Sequence, residues 1–258
     1  MKQKFSEKFL ASWVFFLASL LTGIVSLLAF GFVWAKQRAE KRCGTQNAEG
    51  FLADEQRALN FYRIFSVAYD ILNPYFYTDA MRGEIVSQIR NGVKLRVLDV
   101  GCGTGYTTSG ILNREDVCEV VGLDINAVQL KRAVKNLVSE RGRISISRGD
   151  ADNLPFIDRS FDAVVSVGAV EYSPDPERAL KELDRVSKSN GTVLVGGPES
   201  AWFSKFALDK TLYTPSAEKL EKIFRKADLT TVKSHLTGVK TFFGTGNYVV
   251  FATGKKPN

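Results

Sequence analysis

The chain has 258 residues, enough for one α/β domain with an appendage, and its 45% hydrophobic content provides for a sizeable core. The net charge is +7, but Lys and Arg gather nowhere into a groove-sized patch interleaved with aromatics, which argues against a nucleic-acid partner. One histidine (His235) and three cysteines without paired spacing (Cys43, Cys102, Cys118) exclude a histidine-rich metal site and a disulfide framework, so no metal is expected.

From Leu10 to Trp34 there is no charged side chain. At about 1.5 Å per residue such a run spans a bilayer core of about 30 Å. Trp13 and Trp34 stand near its two ends, where indoles favour the interface. A cleaved signal peptide fits less well, because its apolar core is shorter and Phe32-Val33-Trp34 is a poor cleavage site. Residues 1–35 are therefore expected as a single-pass membrane anchor in contact with the lipid bilayer. Lys2, Lys4 and Lys8 precede the span, and Lys36, Arg38, Lys41 and Arg42 follow it. That one-charge bias places the C-terminal side in the cytoplasm. Residues 36–50 are polar with Gly44 and Gly50, as a linker would be. From Phe51 to Ile71, Leu52, Leu59, Ile64, Phe65 and Ala68 recur at helical spacing, and a second apolar segment carries Ile85, Val86 and Ile89.

The central stretch is Val97-Leu98-Asp99-Val100-Gly101-Cys102-Gly103-Thr104-Gly105. An apolar strand runs into glycines at alternate positions, so a ligand can lie against bare backbone. The spacing is neither the dinucleotide G-x-G-x-x-G nor a P-loop. Asp99, two residues before the first glycine, suits a cationic ligand and repels phosphate. Strands and helices then alternate. Val117–Leu123 is a strand ending at Asp124, about 20 residues after the loop, where a strand-end acid can accept from both ribose hydroxyls. Asn126 caps a helix to about Val138. Ile144–Ser147 is a short strand before Gly149-Asp150-Ala151, and Phe161–Val167 a buried strand opened by Asp162. Gly168-Ala169-Val170-Glu171-Tyr172-Ser173-Pro174-Asp175-Pro176 follows at the edge that lines the ligand crevice in open α/β sheets. A helix over Arg178–Val186, a strand over Gly191–Gly196 and a Ser216-initiated helix to Ala227 come next. Thr230–Leu236 and Asn247–Ala252 form the last antiparallel pair.

The Gly-rich stretch resembles motif I of the class I methyltransferases that use S-adenosylmethionine (SAM). The resemblance implies a Rossmann-like fold: a seven-stranded, mostly parallel sheet with one antiparallel strand and helices on both faces, here joined to an N-terminal transmembrane helix. Residues 51–258 would be the methyltransferase domain, with 51–92 as helices covering the SAM site. It further implies that Asp99 and the backbone of Gly101, Cys102, Gly103 and Gly105 hold the amino acid end of SAM. Asp150 would accept from the adenine amino group and the Ala151 N–H would donate to a ring nitrogen, with Ile125 and Ser166 also at the cofactor.

Two blocks are more particular: Tyr69-Asp70…Asn73-Pro74, followed by Thr78, Met81 and Arg82, and Glu171-Tyr172…Pro174-Asp175-Pro176. They resemble the methyltransferases of methyl-phytyl- and methyl-solanesyl-benzoquinols. That resemblance implies C-methylation of a prenylated benzoquinol, a hydrophobic acceptor held in the membrane. Glu171 would be the general base or hydroxyl orienter, with Tyr172 as a pocket wall; as a bare sequence feature Glu171 reads first as a helix-start or loop carboxylate on the surface. Tyr62 and Tyr69 are either core aromatics or the acceptor pocket, and Trp202 is either core or an apolar acceptor wall. Two other functions fit the same residues: methylation of a sterol or phospholipid amine, and a membrane-tethered SAM-binding module without catalysis.

Overall fold

Unbroken runs of Val, Leu and Ile bounded by turn residues make strands buried on both faces, the habit of a parallel sheet. β1 (Leu95–Val100), β2 (Val117–Asp124), β3 (Ile144–Arg148), β4 (Phe161–Val167) and β5 (Ser187–Pro198) pair in parallel. β6 (Val232–Thr241) and β7 (Gly244–Gly254) form a hairpin at the far edge, with β7 antiparallel to both β5 and β6. The sheet order is β3-β2-β1-β4-β5-β7-β6. This is the expected Rossmann-like sheet with its one antiparallel strand. The computed structural model describes residues 23, 56, 59–63, 70, 79–170, 173–198, 217–227, 232–241 and 244–254. The expected membrane span apart from Gly23, the linker, and Tyr69, Glu171, Tyr172 and Trp202 lie outside the described residues. Among the described residues no helix is long and apolar enough to cross a membrane.

Helices cover both faces. α1 (Asp79–Ser87), α2 (Tyr106–Leu112) and α3 (Ala127–Asn136) flank one side, where Ile85, Ile111, Leu112 and Ala133 pack with Val97, Val120, Ala163 and Val165. α4 (Pro176–Val186) and α5 (Ala217–Lys226) flank the other, where Leu180, Leu183 and Phe224 pack with Leu98, Val100, Phe161 and Val164. α4 begins at Pro176, two residues before the expected Arg178. Pro176 occupies the first turn, where no N–H is missed, and the Asp175 side chain accepts from the Arg178 N–H at 3.0 Å. Ala179, Leu180, Leu183 and Val186 then form its buried stripe.

β5 is longer than the expected 191–196. Residues 187–190 join the ladder across an irregularity in which Phe161 faces Ser187 but Ala163 faces Thr192. Asp162 fastens that corner, accepting from the Arg96 N–H at 3.0 Å and from Lys188 Nζ at 2.8 Å. It therefore braces the N-terminal edge of the sheet, opposite the ligand-binding edge.

Candidate active site

From β1 the chain proceeds outward through β2 to β3, then returns to β4 beside β1. That reversal is the topological switch point, and in open α/β sheets ligands bind off the carboxyl ends of the strands there. The loops after β1 and β4 meet at this place. A Cβ on Gly101 would stand 2.1 Å from the Ala169 Cβ, and Gly101 has φ +74°, so no residue with a side chain fits. Gly105 (φ +92°) opens α2 and lies equally close to α3: a Cβ there would come within 2.8 Å of Leu137 Cδ1.

The loops border a cleft that is open to solvent. One wall is the Gly101–Thr104 loop and the next is the end of β2 with Asp124, Ile125 and Asn126. Asp150 and Ala151 form a third side, and Gly168, Ala169 and Ser173 a fourth. Leu59, Tyr62, Arg82 and Tyr106 border it from the N-terminal segment and the start of α2. Of the candidate cofactor residues, Gly101, Cys102, Gly103, Asp124, Ile125, Asp150 and Ala151 thus line one cavity. Asp99 lies buried beneath the loop, Gly105 faces α3, and Ser166 is buried within β4; these three are not on its wall. Tyr62, whose reading was open between core and pocket, borders the cleft, while its neighbour Phe61 takes the core position and meets it edge-on at 5.4 Å.

Hydrogen bonds hold the walls in register. Asp124 accepts from the Gly103 N–H at 2.9 Å and the Asn126 N–H at 2.7 Å, tying β2 to the glycine loop and leaving lone pairs toward the cleft. Asn126 caps α3 as expected, accepting from the Val128 N–H at 3.0 Å, and its Nδ2 donates to the Leu59 carbonyl at 3.3 Å. Asp70, in the block singled out above, is held twice. Its carbonyl accepts from the Tyr106 hydroxyl at 2.9 Å, and its carboxylate pairs with Arg132 of α3, Nε to Oδ2 at 2.6 Å. Ser173 donates to Asp152 and accepts from the Asp175 N–H, joining the loop after β3 to the loop after β4.

The floor is acidic. Burial is the main reason the Asp99 carboxyl is pushed up to about 7; the Thr108 hydroxyl, 2.6 Å away, pulls the other way and Asp124 adds a further upward push. Burial raises Asp124 as well, against the two backbone N–H donors. The Cys102 thiol is driven well up by burial and by both acids, so it is no thiolate nucleophile. Gln129 and Thr104 also line the cleft. Thr104 lies within the Gly-rich motif but does not stand out there as a site residue, and Gln129 lies in no motif, because neither residue type is diagnostic in a loop or at a helix start.

Residues 98–195 match the family described as a methyltransferase domain. Those residues hold every strand end that builds the cleft. The chain carries a class I methyltransferase domain. The chain is 38% identical over 198 residues to 2-methyl-6-phytyl-1,4-hydroquinone methyltransferase 2, chloroplastic, of Oryza sativa subsp. japonica, covering 75% of this chain and 56% of that protein. It is 26% identical over 255 residues to the demethylmenaquinone methyltransferase of Desulfitobacterium hafniense, covering 83% of this chain and 98% of the relative. The chain spans 56% to 62% of the length of the first three curated relatives it matches. Among solved structures the [4+2]-cyclase SpnF superimposes with a TM-score of 0.65 at 18% identity, covering 80% and 97% of the two chains. At that identity the likeness concerns the fold alone.

The family's cofactor is SAM, and the methyltransferase domain fits it on its own geometry. The Gly101 backbone comes so close to Ala169 that only bare backbone can line this side. Asp124, on the cleft wall, sits where a diol would be received, while Asp99 lies buried beneath the glycine loop. Buried acceptor atoms of Gln129 and Thr104 have no partner among the described residues.

Proposed function

We propose that the chain is a membrane-anchored methyltransferase that transfers the SAM methyl group to a ring carbon of a prenylated benzoquinol. The similarity to the rice hydroquinone methyltransferase over 75% of the chain carries this reading. The cleft supports it, with a polar half of Asp124, Asp150 and the glycine loop and a less polar half of Leu59 and the rings of Tyr62 and Tyr106. The uncharged run from Leu10 to Trp34 supports the anchor, with the domain on the cytoplasmic side.

In this reading Asp99 and the Gly101–Gly105 backbone hold the amino acid end, Asp124 the ribose, and Asp150 with the Ala151 N–H the adenine. SAM, when bound, supplies an electrophilic methyl group on a sulfonium. The protein's own work is alignment, which for well-oriented reactants is worth about 7–11 kcal/mol. Glu171, which follows β4 in the sequence, takes the phenol proton so that the ring carbon ortho to it becomes nucleophilic, an assistance of about 10²–10⁴-fold. Tyr62, on the cleft wall, packs the acceptor ring, and Tyr69, Tyr172 and Trp202 are the further acceptor residues that the sequence offers.

Radiolabelled SAM offered to the full chain in liposomes containing a demethylated prenylquinol, a sterol or phosphatidylethanolamine tests the reading. Label on the quinol is expected. Label on another lipid keeps the methyltransferase and discards the quinol, whereas SAM binding without transfer to any lipid leaves a binding module.

A further inference from the structure

Gln129 is 96% buried by its relative exposure of 4%, it lines the cleft, and its Oε1 has no hydrogen-bond partner among the described residues. A buried carbonyl left unpaired costs about 1–3 kcal/mol, so such an atom in a cleft wall calls for a donor from outside the protein. Turning the amide over would put the NH2 there instead, which needs an acceptor; a hydroxyl, able to donate or accept, answers either orientation.

Its place on α3 says what the donor is. Residues 129, 133 and 137 succeed one another at i, i+4 and i+8, so they share one face of the helix and its last turn. Ala133 and Leu137 lie against Gly105, the end of the glycine loop. Gln129, one turn nearer the helix start, therefore stands between that loop and the strand end that carries Asp124 and Asn126. If the adenine lies at Asp150–Ala151 and the amino acid end at the glycine loop, the sugar must cross this gap. Asp124 already spends part of its acceptor capacity on the Gly103 and Asn126 N–H groups.

We infer that the Gln129 side-chain amide is a second ribose ligand, accepting from the 2′-hydroxyl of the cofactor sugar beside Asp124. The inference rests on the reading of the cleft as a SAM site. Its effect is selectivity for a ribonucleoside over a deoxyribonucleoside, because a missing hydroxyl would leave the buried acceptor unpaired again.

Calorimetric titration of the full chain with S-adenosylhomocysteine and its 2′-deoxy analogue tests it without any turnover. The native chain is expected to favour the ribose ligand by tenfold or more. Gln129→Met, of similar volume, should weaken S-adenosylhomocysteine about tenfold and the deoxy analogue far less, shrinking the preference. Gln129→Glu, which keeps an acceptor at the same place, should keep the preference even if repulsion from Asp124 weakens both ligands. Equal weakening of both ligands by Gln129→Met, no weakening, or loss of the preference in Gln129→Glu overturns the inference alone. If Gln129→Met does not fold, the preference in Gln129→Glu decides. Failure of the native chain to bind S-adenosylhomocysteine overturns the SAM reading itself.

Discussion

At the scale of single residues, the most telling group is Asp99, a carboxyl 1% exposed whose one side-chain hydrogen bond among the described residues comes from Thr108. Its ionisation is pushed from 3.8 to about 7. For an acid raised in this way the unfolded chain binds fewer protons than the folded one between the two values. Stability from this group is therefore full below about pH 4, falls as pH rises, and is lost above about 7, by roughly 4 kcal/mol over the window. Asp99→Asn keeps an acceptor for Thr108 and removes the titration. The variant is expected to unfold at higher denaturant than the native chain at pH 8 and to show a flatter dependence of stability between pH 4 and 8. An unchanged pH slope would assign the titration to another group. The same substitution should weaken SAM at least tenfold, because a buried carboxylate is the natural counter-charge for an ammonium. Asp99 could be singled out from the sequence because an acid two residues before a glycine loop is unusual chemistry. Thr108, which holds it, and Gln129 could not, since a threonine in one helix and a glutamine in another carry no pattern until the fold brings them to the loop.

At the scale of elements, the loop from Gly149 to Ser160 has little regular structure, yet it forms one side of the cleft. It is held from behind by α4. Arg185 donates to the carbonyls of Leu154 (3.0 Å) and Phe156 (2.8 Å), to Asp158 (2.7 Å) and, through two nitrogens, to Glu182 (both 2.7 Å). Glu182 in turn accepts from the Leu154 N–H at 2.8 Å, and Arg185 holds its carboxyl below the ordinary carboxylate range. Arg185→Ala removes this fork from two carbonyls at once and should destabilise the protein by about 2 kcal/mol, after allowance for a side chain that is 31% exposed. The expected signature is local: faster amide exchange over 150–158 and a weaker SAM affinity, with exchange in β1 and β4 unchanged. Uniformly faster exchange would instead mean that Arg185 supports only global stability. The order of strands and helices was legible because their apolar runs and caps are local signals: β4 falls at Phe161–Val167 as expected, and Asp175-Pro176 opens α4 two residues before the expected start. Residues 187–190 were not legible as strand, being Ser, Lys, Ser and Asn. They are drawn into the ladder by Phe161 and the Asp162 clamp, which are tertiary effects.

At the scale of the whole molecule, the question is why a domain with a self-contained cofactor cleft would follow a run of 25 residues, Leu10 to Trp34, without a charge. On the proposed reading the acceptor is prenylated and stays in the bilayer, so an untethered enzyme would meet it only on rare collisions. Tethering replaces that encounter by one within a thin layer and raises the effective concentration, a gain that needs no new contact at the site. The gain should depend on where the acceptor is, not on what its ring is. The full chain and residues 36–258 are therefore expected to bind S-adenosylhomocysteine equally and to methylate a short-chain, water-soluble demethylquinol at similar rates. With the long-chain quinol in vesicles, the full chain should be faster by tenfold or more, and only the full chain should float with the vesicles. Equal rates on the vesicle-held acceptor would show that the apolar run does not serve catalysis by confinement. A deficit of the shorter chain on the water-soluble acceptor as well would point instead to a part for the first 35 residues in shaping the acceptor pocket.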